Sequence, residues 1–157
     1  MEQHNDRADT LHHTHIEWQP TYELGIEAID AQHRYFANLI NLLSDELRKT
    51  DHRDYQDSLL NELVAYARFH FISEENLMFR SGYPQLDEHR QHHRELIDRL
   101  SARIANLSLH HSENAADAVI DFLAEWFINH TVIEDKKFSV WSKDRAASVD
   151  MPHATDE

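Results

Sequence analysis

Residues 70–93 read HFISEENLMFRSGYPQLDEHRQHH and place two pairs of potential metal ligands on either side of a helix break: His70 and Glu74, then His89 and His93. Each pair has i, i+4 spacing, so its two side chains lie one turn apart on the same helix face. Between the pairs, Gly82 suits the position after a helix C-terminus, and Pro84 cannot continue a helix. The stretch therefore predicts a helix, a tight turn and a second helix that runs back beside the first.

The same periodicity extends in both directions from this stretch. Apolar residues and histidines recur at spacings of three and four, which is the pattern of helices with one buried face. The four predicted helices cover about residues 30–47, 54–80, 84–107 and 112–141, with Asp30 and Ser112 as predicted N-caps. Only two glycines and three prolines interrupt the chain, which argues against the many turns of a β-rich fold.

Four amphipathic helices with short connections predict an all-α fold, an up-down-up-down antiparallel four-helix bundle with an N-terminal arm. The 157 residues are about one domain's worth. Residues 1–17 are polar and histidine-rich and are predicted to be a flexible arm, residues 18–141 to hold the bundle, and residues 142–157 to be a polar, frayed tail.

Composition excludes several kinds of protein. The chain has no cysteine, so thiolate zinc sites, iron–sulfur clusters and cysteine nucleophiles are ruled out, and any metal must be held by nitrogen and oxygen. A formal charge of −14 repels nucleic acid and anionic lipid, and no apolar run is long enough to span a membrane. The absence of cysteine and of a secretory signal at the N-terminus favours the cytoplasm. The sequence does not indicate an oligomeric state.

Two further helices carry potential ligands that complete the set: His33 on the first, and His130 with Asp135 on the fourth. Ligand positions alternate between early and late along successive helices, as they must if an antiparallel bundle is to bring them to one level. The fourth helix leaves one choice open. Asp135 is about 140° from His130 at 3.6 residues per turn, whereas Glu134 lies on the same face.

Five imidazoles and two carboxylates exceed what one tetrahedral zinc ion uses, so the set predicts two metal ions, for which iron or manganese is the better match.

Chance could account for any one pair of histidines at this spacing, because 14 residues are histidine. The remaining histidines, including His92, are predicted to be exposed, in loops or in the arm. No His-Asp dipeptide is present, which argues against a phosphohydrolase of that class. Anionic oxygen ligands favour the high-valent iron that oxidation of a substrate requires. A site with many histidines and few carboxylates therefore favours reversible oxygen binding.

The motifs together resemble the hemerythrin family in its bacterial single-domain form. They are Gly25-Ile26, Ile29-Asp30-Ala31-Gln32-His33, His70-Phe71-x-x-Glu74-Glu75, Gly82-Tyr83-Pro84, His89-x-x-x-His93 and Trp126-x-x-x-His130-x-x-x-x-Asp135. The resemblance covers about residues 18–141, and all seven ligand positions are filled. It also selects Asp135 over Glu134, which spacing alone does not.

The resemblance implies a non-haem di-iron centre with an oxo or hydroxo bridge. One iron would be held by His89, His93 and His130 and the other by His33 and His70, and Glu74 and Asp135 would bridge them. The implied function is reversible binding of O₂, for storage or for delivery to an oxygen-consuming enzyme, rather than catalysis. Two alternatives stay open: an oxygen or redox sensor that acts through a separate partner protein, and an enzyme that turns over peroxide or nitric oxide with a reductase. Trp126, Phe127 and Phe71 are candidates for a dry lining around the oxygen.

Overall fold

The computed structural model describes residues 15–149 of the chain. Within them the elements follow in this order: a 3₁₀-helix (Pro20–Tyr22), α1 (Glu27–Glu46), α2 (Arg53–Ser81), α3 (Leu86–His110), α4 (Glu113–Asn129), a π-helical segment (His130–Asp135) and α5 (Lys136–Val149). The last three form one unbroken helix, since the residues at both junctions keep right-handed helical backbone angles. Each helix packs against the one before it, and α4 closes the ring against α1. The predicted all-α four-helix bundle is confirmed.

The predicted break between the second and third helices is confirmed. Gly82 has φ +72°, a left-handed conformation that strains residues with a Cβ. The Tyr83 amide then donates to the Met78 carbonyl at 3.0 Å, which completes a Schellman-type end. Ser112 is also confirmed as an N-cap, because its hydroxyl accepts a hydrogen bond from the Ala115 amide.

Asp30, in contrast, is not the N-cap of α1. The helix begins at Glu27, and Asp30 lies in its first turn. Its carboxylate accepts hydrogen bonds from the amides of Leu24 at 2.7 Å and Gly25 at 3.0 Å. Gly25 has φ +79°, so Asp30 fixes the left-handed turn through which the chain enters α1. An acidic residue before an apolar stripe is a common cap signal, and here the same chemistry acts one turn further along.

Part of the predicted arm is bound to the bundle. Residues 1–14 lie outside the described residues, but Ile16 is buried and exchanges two hydrogen bonds with the Asn41 side chain. Trp18 and Tyr22 then pack on Phe127. The residues that pack on the bundle therefore include part of the segment before residue 18, where the sequence pattern placed the boundary.

The other end of the chain also differs from expectation. The helix predicted to stop near Trp141 continues as α5 to Val149, while residues 150–157 lie outside the described part. Phe138 and Trp141 pack around Tyr83, and Arg145 donates to the Ser81 carbonyl and lies over the Trp141 ring. These contacts hold a polar stretch in a helix that its own composition does not predict.

The apolar core is divided into two clusters. The larger extends along the bundle from Leu47 to Phe71 and Phe127, and the smaller consists of Met78, Tyr83 and Phe138. The layer between them contains the buried polar residues that the sequence singled out. Among residues 15–149, no helix combines the length and apolar character needed to cross a membrane.

Candidate metal centre

The structure brings all seven predicted site residues together in the layer between the two apolar clusters. Each is at most 5% exposed: His33, His70, Glu74, His89, His93, His130 and Asp135. They come from α1, α2, α3 and the π-helical segment, so every side of the bundle contributes. Burying so many polar groups at one level is costly unless they are hydrogen-bonded, paired with opposite charges or coordinated to a metal ion.

The donor atoms form two overlapping groups, and within each group all atoms lie within 4.8 Å of one another. One group contains three imidazoles, from His89, His93 and His130. The other contains two, from His33 and His70. Glu74 and Asp135 belong to both groups.

Asp135 lies between the two groups with one oxygen toward each. Its Oδ2 is 3.1 Å from His33 Nε2, and its Oδ1 is 3.0 Å from His130 Nε2 and 3.3 Å from His89 Nε2. Glu74 presents Oε2 to the three-imidazole group, at 3.2 Å from His89 Nε2 and 3.3 Å from His93 Nε2. Asp135 thus has the orientation of a carboxylate that bridges two centres.

The π-helical segment explains how Asp135 reaches the site. In an α-helix, residues five apart point in different directions, whereas the i to i+5 bonding of a π-helix brings them nearly into line. Asp135 is therefore fully buried beside His130, while Glu134 faces outward and accepts hydrogen bonds from Lys137. The structure brings Asp135 rather than Glu134 into the cluster of donor atoms, because the backbone is not α-helical there.

The donor set fits cations of the size of iron. Glu74 Oε1 and both Asp135 oxygens are buried without a hydrogen-bond partner among the described residues, although imidazole nitrogens lie close to Asp135. The Nε2 atoms of His93 and His130 lie 3.0 Å apart, and those of His33 and His70 lie 3.2 Å apart. Neighbouring ligands around an ion bound at about 2.1 Å would be separated by about 3 Å. The imidazole nitrogens converge at the spacing expected of ligands around common centres.

Burial and the carboxylates act in opposite directions on the histidines. Burial lowers the pKa of His70 to about 4. For His89, contacts with Asp135 and Glu74 outweigh the effect of burial and raise the pKa to about 10. Burial and the Asp135 charge raise the pKa of Glu74, but contacts with His89 and His93 outweigh them and lower it to about 2. The His130 charge and contacts with histidines likewise outweigh burial and lower the pKa of Asp135. Both carboxylates are therefore ionised at neutral pH, and a metal ion would have to displace the proton from His89.

Two residues that the sequence reasoning did not select as functional fix the imidazoles from behind. Gln32 Oε1 lies 2.8 Å from His70 Nδ1, and Glu75 Oε1 lies 2.7 Å from His93 Nδ1. Each bond places the proton on Nδ1 and leaves Nε2 free to face the centre. Both residues are adjacent in sequence to a predicted ligand, which is the signal that would have found them.

His92 was predicted to be exposed and is not. It is partly buried, and its ring stacks on His130 at 5.1 Å with an interplanar angle of 13°. Burial lowers its pKa, so the ring is neutral at pH 7. His92 thus packs against the outer face of a predicted ligand without entering either donor group.

The aromatic residues suggested as a dry lining lie at different distances from the centre. Phe71 stacks directly on His93 at 3.8 Å, and Phe127 lies 6.2 Å from His33 with its ring nearly perpendicular. Trp126 packs behind Phe71, at 5.6 Å. All three are buried.

Comparison with known proteins agrees with this arrangement. Residues 24–141 match the family model described as Hemerythrin HHE cation binding domain. The chain is 32% identical over 121 residues to a bacteriohemerythrin of Pseudomonas paraeruginosa, covering 77% of each chain. It is 27% identical over 124 residues to a bacteriohemerythrin of Clostridium acetobutylicum, covering 77% of this chain and 96% of the relative. A myohemerythrin of Theromyzon tessulatum is 29% identical over 122 residues, covering 78% and 89%. The chain belongs to the hemerythrin family.

Proposed function

We propose that this protein binds dioxygen reversibly at a di-iron centre and acts as an oxygen carrier or store. One observation carries the proposal: two buried donor groups share Glu74 and Asp135 but have unequal numbers of imidazoles, three and two. Shared carboxylates suit a bridged pair of ions. The unequal count leaves one ion with fewer protein ligands, and therefore with a coordination position for a small molecule.

The contacts support a role for each ligand. His89, His93 and His130 would hold one iron, and His33 and His70 the other. Asp135 would bridge them, because its two oxygens face different groups, and Glu74 would be the second bridge. An iron pair held by these residues would supply the electron exchange that reversible dioxygen binding requires.

The surrounding residues keep the site suited to carriage. Phe71 and Phe127 pack on His93 and His33, so an apolar ring lies against each of these two ligands. Gln32 and Glu75 hold the His70 and His93 rings in place through Nδ1. Excluding water protects bound oxygen from protonation, which is a requirement of a carrier rather than of an enzyme.

The test is the visible absorption spectrum of the iron-loaded, reduced protein, cycled between nitrogen and air. A coloured form that appears in air and fades under nitrogen over repeated cycles is the expected result. A single irreversible conversion to an oxidised spectrum would contradict the carrier function and would favour a redox sensor that acts through a separate partner protein. Iron analysis of the same sample should give two irons per chain.

A further inference from the structure

We propose that Glu75 is a positioning residue that makes the two metal positions unequal, by holding His93 through an anionic hydrogen bond and so favouring the oxidised state of the ion that His93 binds. The inference rests on the di-iron centre of the proposed function and assigns a role to a residue outside its ligand set. Glu75 belongs to neither donor group and acts only through His93.

The contact is short and well placed. Glu75 Oε1 accepts from His93 Nδ1 at 2.7 Å, at the short end for a charge-assisted bond. The His93 side chain is 3% exposed and the Glu75 side chain 21%, so the bond runs from the buried layer to its edge. Glu75 follows Glu74 on α2, and the rigid helix therefore fixes one carboxylate on the centre and the next on the imidazole behind it.

The other imidazoles lack such a partner. The only comparable bond among the described residues is that of His70 Nδ1 to Gln32 Oε1, a neutral amide that donates in turn to the Ser73 hydroxyl. The Nδ1 atoms of His33 and His130 are buried and have no hydrogen-bond partner within the same part of the chain. The three-imidazole group thus has an anion behind one ligand, and the two-imidazole group has an amide.

This difference changes donor strength. A carboxylate that accepts the Nδ1 proton increases the basicity of Nε2, and a stronger, more negative donor stabilises the higher charge of an oxidised metal ion. Screening is weak at this depth, because the ring is buried. Arg90 approaches the other carboxylate oxygen, Oε2, at 3.5 Å and leaves Oε1 to His93. The ion bound by His93 should therefore be the harder of the two to reduce.

The experiment compares the wild type with Glu75→Gln, which keeps the shape of the side chain and removes its charge. The two one-electron reduction potentials of the iron-loaded protein are measured by spectroelectrochemistry. Glu75→Gln is expected to raise the lower potential more than the upper, so that the gap between the two potentials becomes smaller. A tenfold change in the relative affinity for oxidised and reduced iron corresponds to about 59 mV. When the protein competes with a chelator for Zn²⁺, one of the two sites of Glu75→Gln should bind Zn²⁺ with an affinity about 10- to 100-fold lower than in the wild type.

Three further variants make the test independent of any folding defect in Glu75→Gln. Gln32→Glu places a charge behind His70, and it is expected to lower the upper potential more than the lower. Glu95→Gln is the matched control, because Glu95 is exposed and, among residues 15–149, accepts a hydrogen bond from Gln91 alone. It should leave the gap between the two steps unchanged. Glu75→Asp should restore part of the wild-type gap, since the charge is retained.

The outcomes separate the two proposals. A wild type that binds no iron pair overturns the proposed function, and the inference falls with it. The inference alone is overturned if the wild type binds two irons but the reduction potentials of Glu75→Gln and Gln32→Glu shift no more than those of Glu95→Gln. Two irons in the wild type, together with shifts of the stated sign in Glu75→Gln and Gln32→Glu, support both proposals.

Discussion

At the scale of single residues, the centre gathers charges that an apolar core normally excludes. Glu74 and Asp135 are fully buried, and contacts with histidines keep the pKa of each below its usual range. The Asp135 contact and charge outweigh burial and raise the pKa of His33, as happens at His89. Buried ionised groups are tolerated only when paired, so protonated histidines must balance the carboxylates of the metal-free protein.

His89 should make the metal-free protein less stable at alkaline pH. Its pKa is about 10 in the folded state against 6.5 for the ordinary side chain, so between these values the folded state keeps a proton that the unfolded state has lost. Its contribution is complete below about pH 6.5 and is lost as the pH rises toward 10, at up to about 1.4 kcal/mol per pH unit. Urea unfolding of metal-free wild type and His89→Gln from pH 6 to 10 measures this. Parallel curves for the two proteins would contradict it.

Trp126 bears on the lifetime of the oxygenated protein. It is 6% exposed and packs edge-on against Phe71 and Phe36, behind the ring that covers His93. Trp126→Ala should open a cavity behind that cover, admit water and speed autoxidation, which is followed by the decay of the oxygenated spectrum in air. Phe122→Ala is the control, since Phe122 is equally buried but lies beneath Arg99 and Arg103. Equal rates for the wild type and Trp126→Ala would exclude Trp126 from the barrier.

At the scale of elements, the π-helical segment decides which carboxylate enters the centre. Asp135→Asn should lower the iron content below two per chain, because it removes the negative charge that faces both donor groups. Glu134→Gln should retain both irons, because Glu134 is directed outward to Lys137. Metal analysis after desalting distinguishes them. Loss of iron from Glu134→Gln with retention in Asp135→Asn would instead identify Glu134, which α-helical spacing favours, as the ligand.

The helices could be predicted from sequence, since a stripe of apolar residues and histidines at three- and four-residue spacing is typical of a helix with one buried face and of little else. Asp135 could not be derived from that spacing, because 3.6 residues per turn is an assumption that fails between His130 and Asp135. Only the resemblance to a family selected it. The early start of α1 was missed because Asp30 accepts hydrogen bonds from the turn before the helix instead of capping it, and the length of α5 was missed because Arg145 makes a tertiary contact with Ser81.

The residues behind the imidazoles follow a geometric rule that single-helix patterns do not show. Gln32 precedes His33 on α1 and supports His70 on α2, Glu75 follows Glu74 on α2 and supports His93 on α3, and His92 precedes His93 on α3 and stacks on His130. A neighbouring position is about 100° around an α-helix. Successive helices run in opposite directions. The residue before a ligand on α1 or α3 and the residue after a ligand on α2 are therefore displaced in the same rotational direction when viewed along the bundle axis. Each such residue therefore faces the next helix.

At the scale of the whole molecule, the polar layer interrupts the core. The large apolar cluster ends at Phe71 and Phe127, and the small one begins at Met78 and Phe138, with the seven donors between them. Four helices contribute to this layer, so a metal pair would connect all of them at once. Without metal, the same layer holds two buried carboxylates that only protonated histidines balance.

Metal should therefore act as part of the core. Binding to the folded state alone adds about 2.7 kcal/mol at a free metal concentration of 100 times the dissociation constant, and for a chain of this size each kcal/mol raises Tm by about 2–4 °C. The iron-loaded protein should thus melt at least about 5 °C above the metal-free protein when followed by circular dichroism. His70→Ala, which removes one donor from the two-imidazole group, should reduce that difference without abolishing helical structure. Identical melting temperatures with and without bound iron would show that the layer is stable by itself and that the metal does not contribute to the fold.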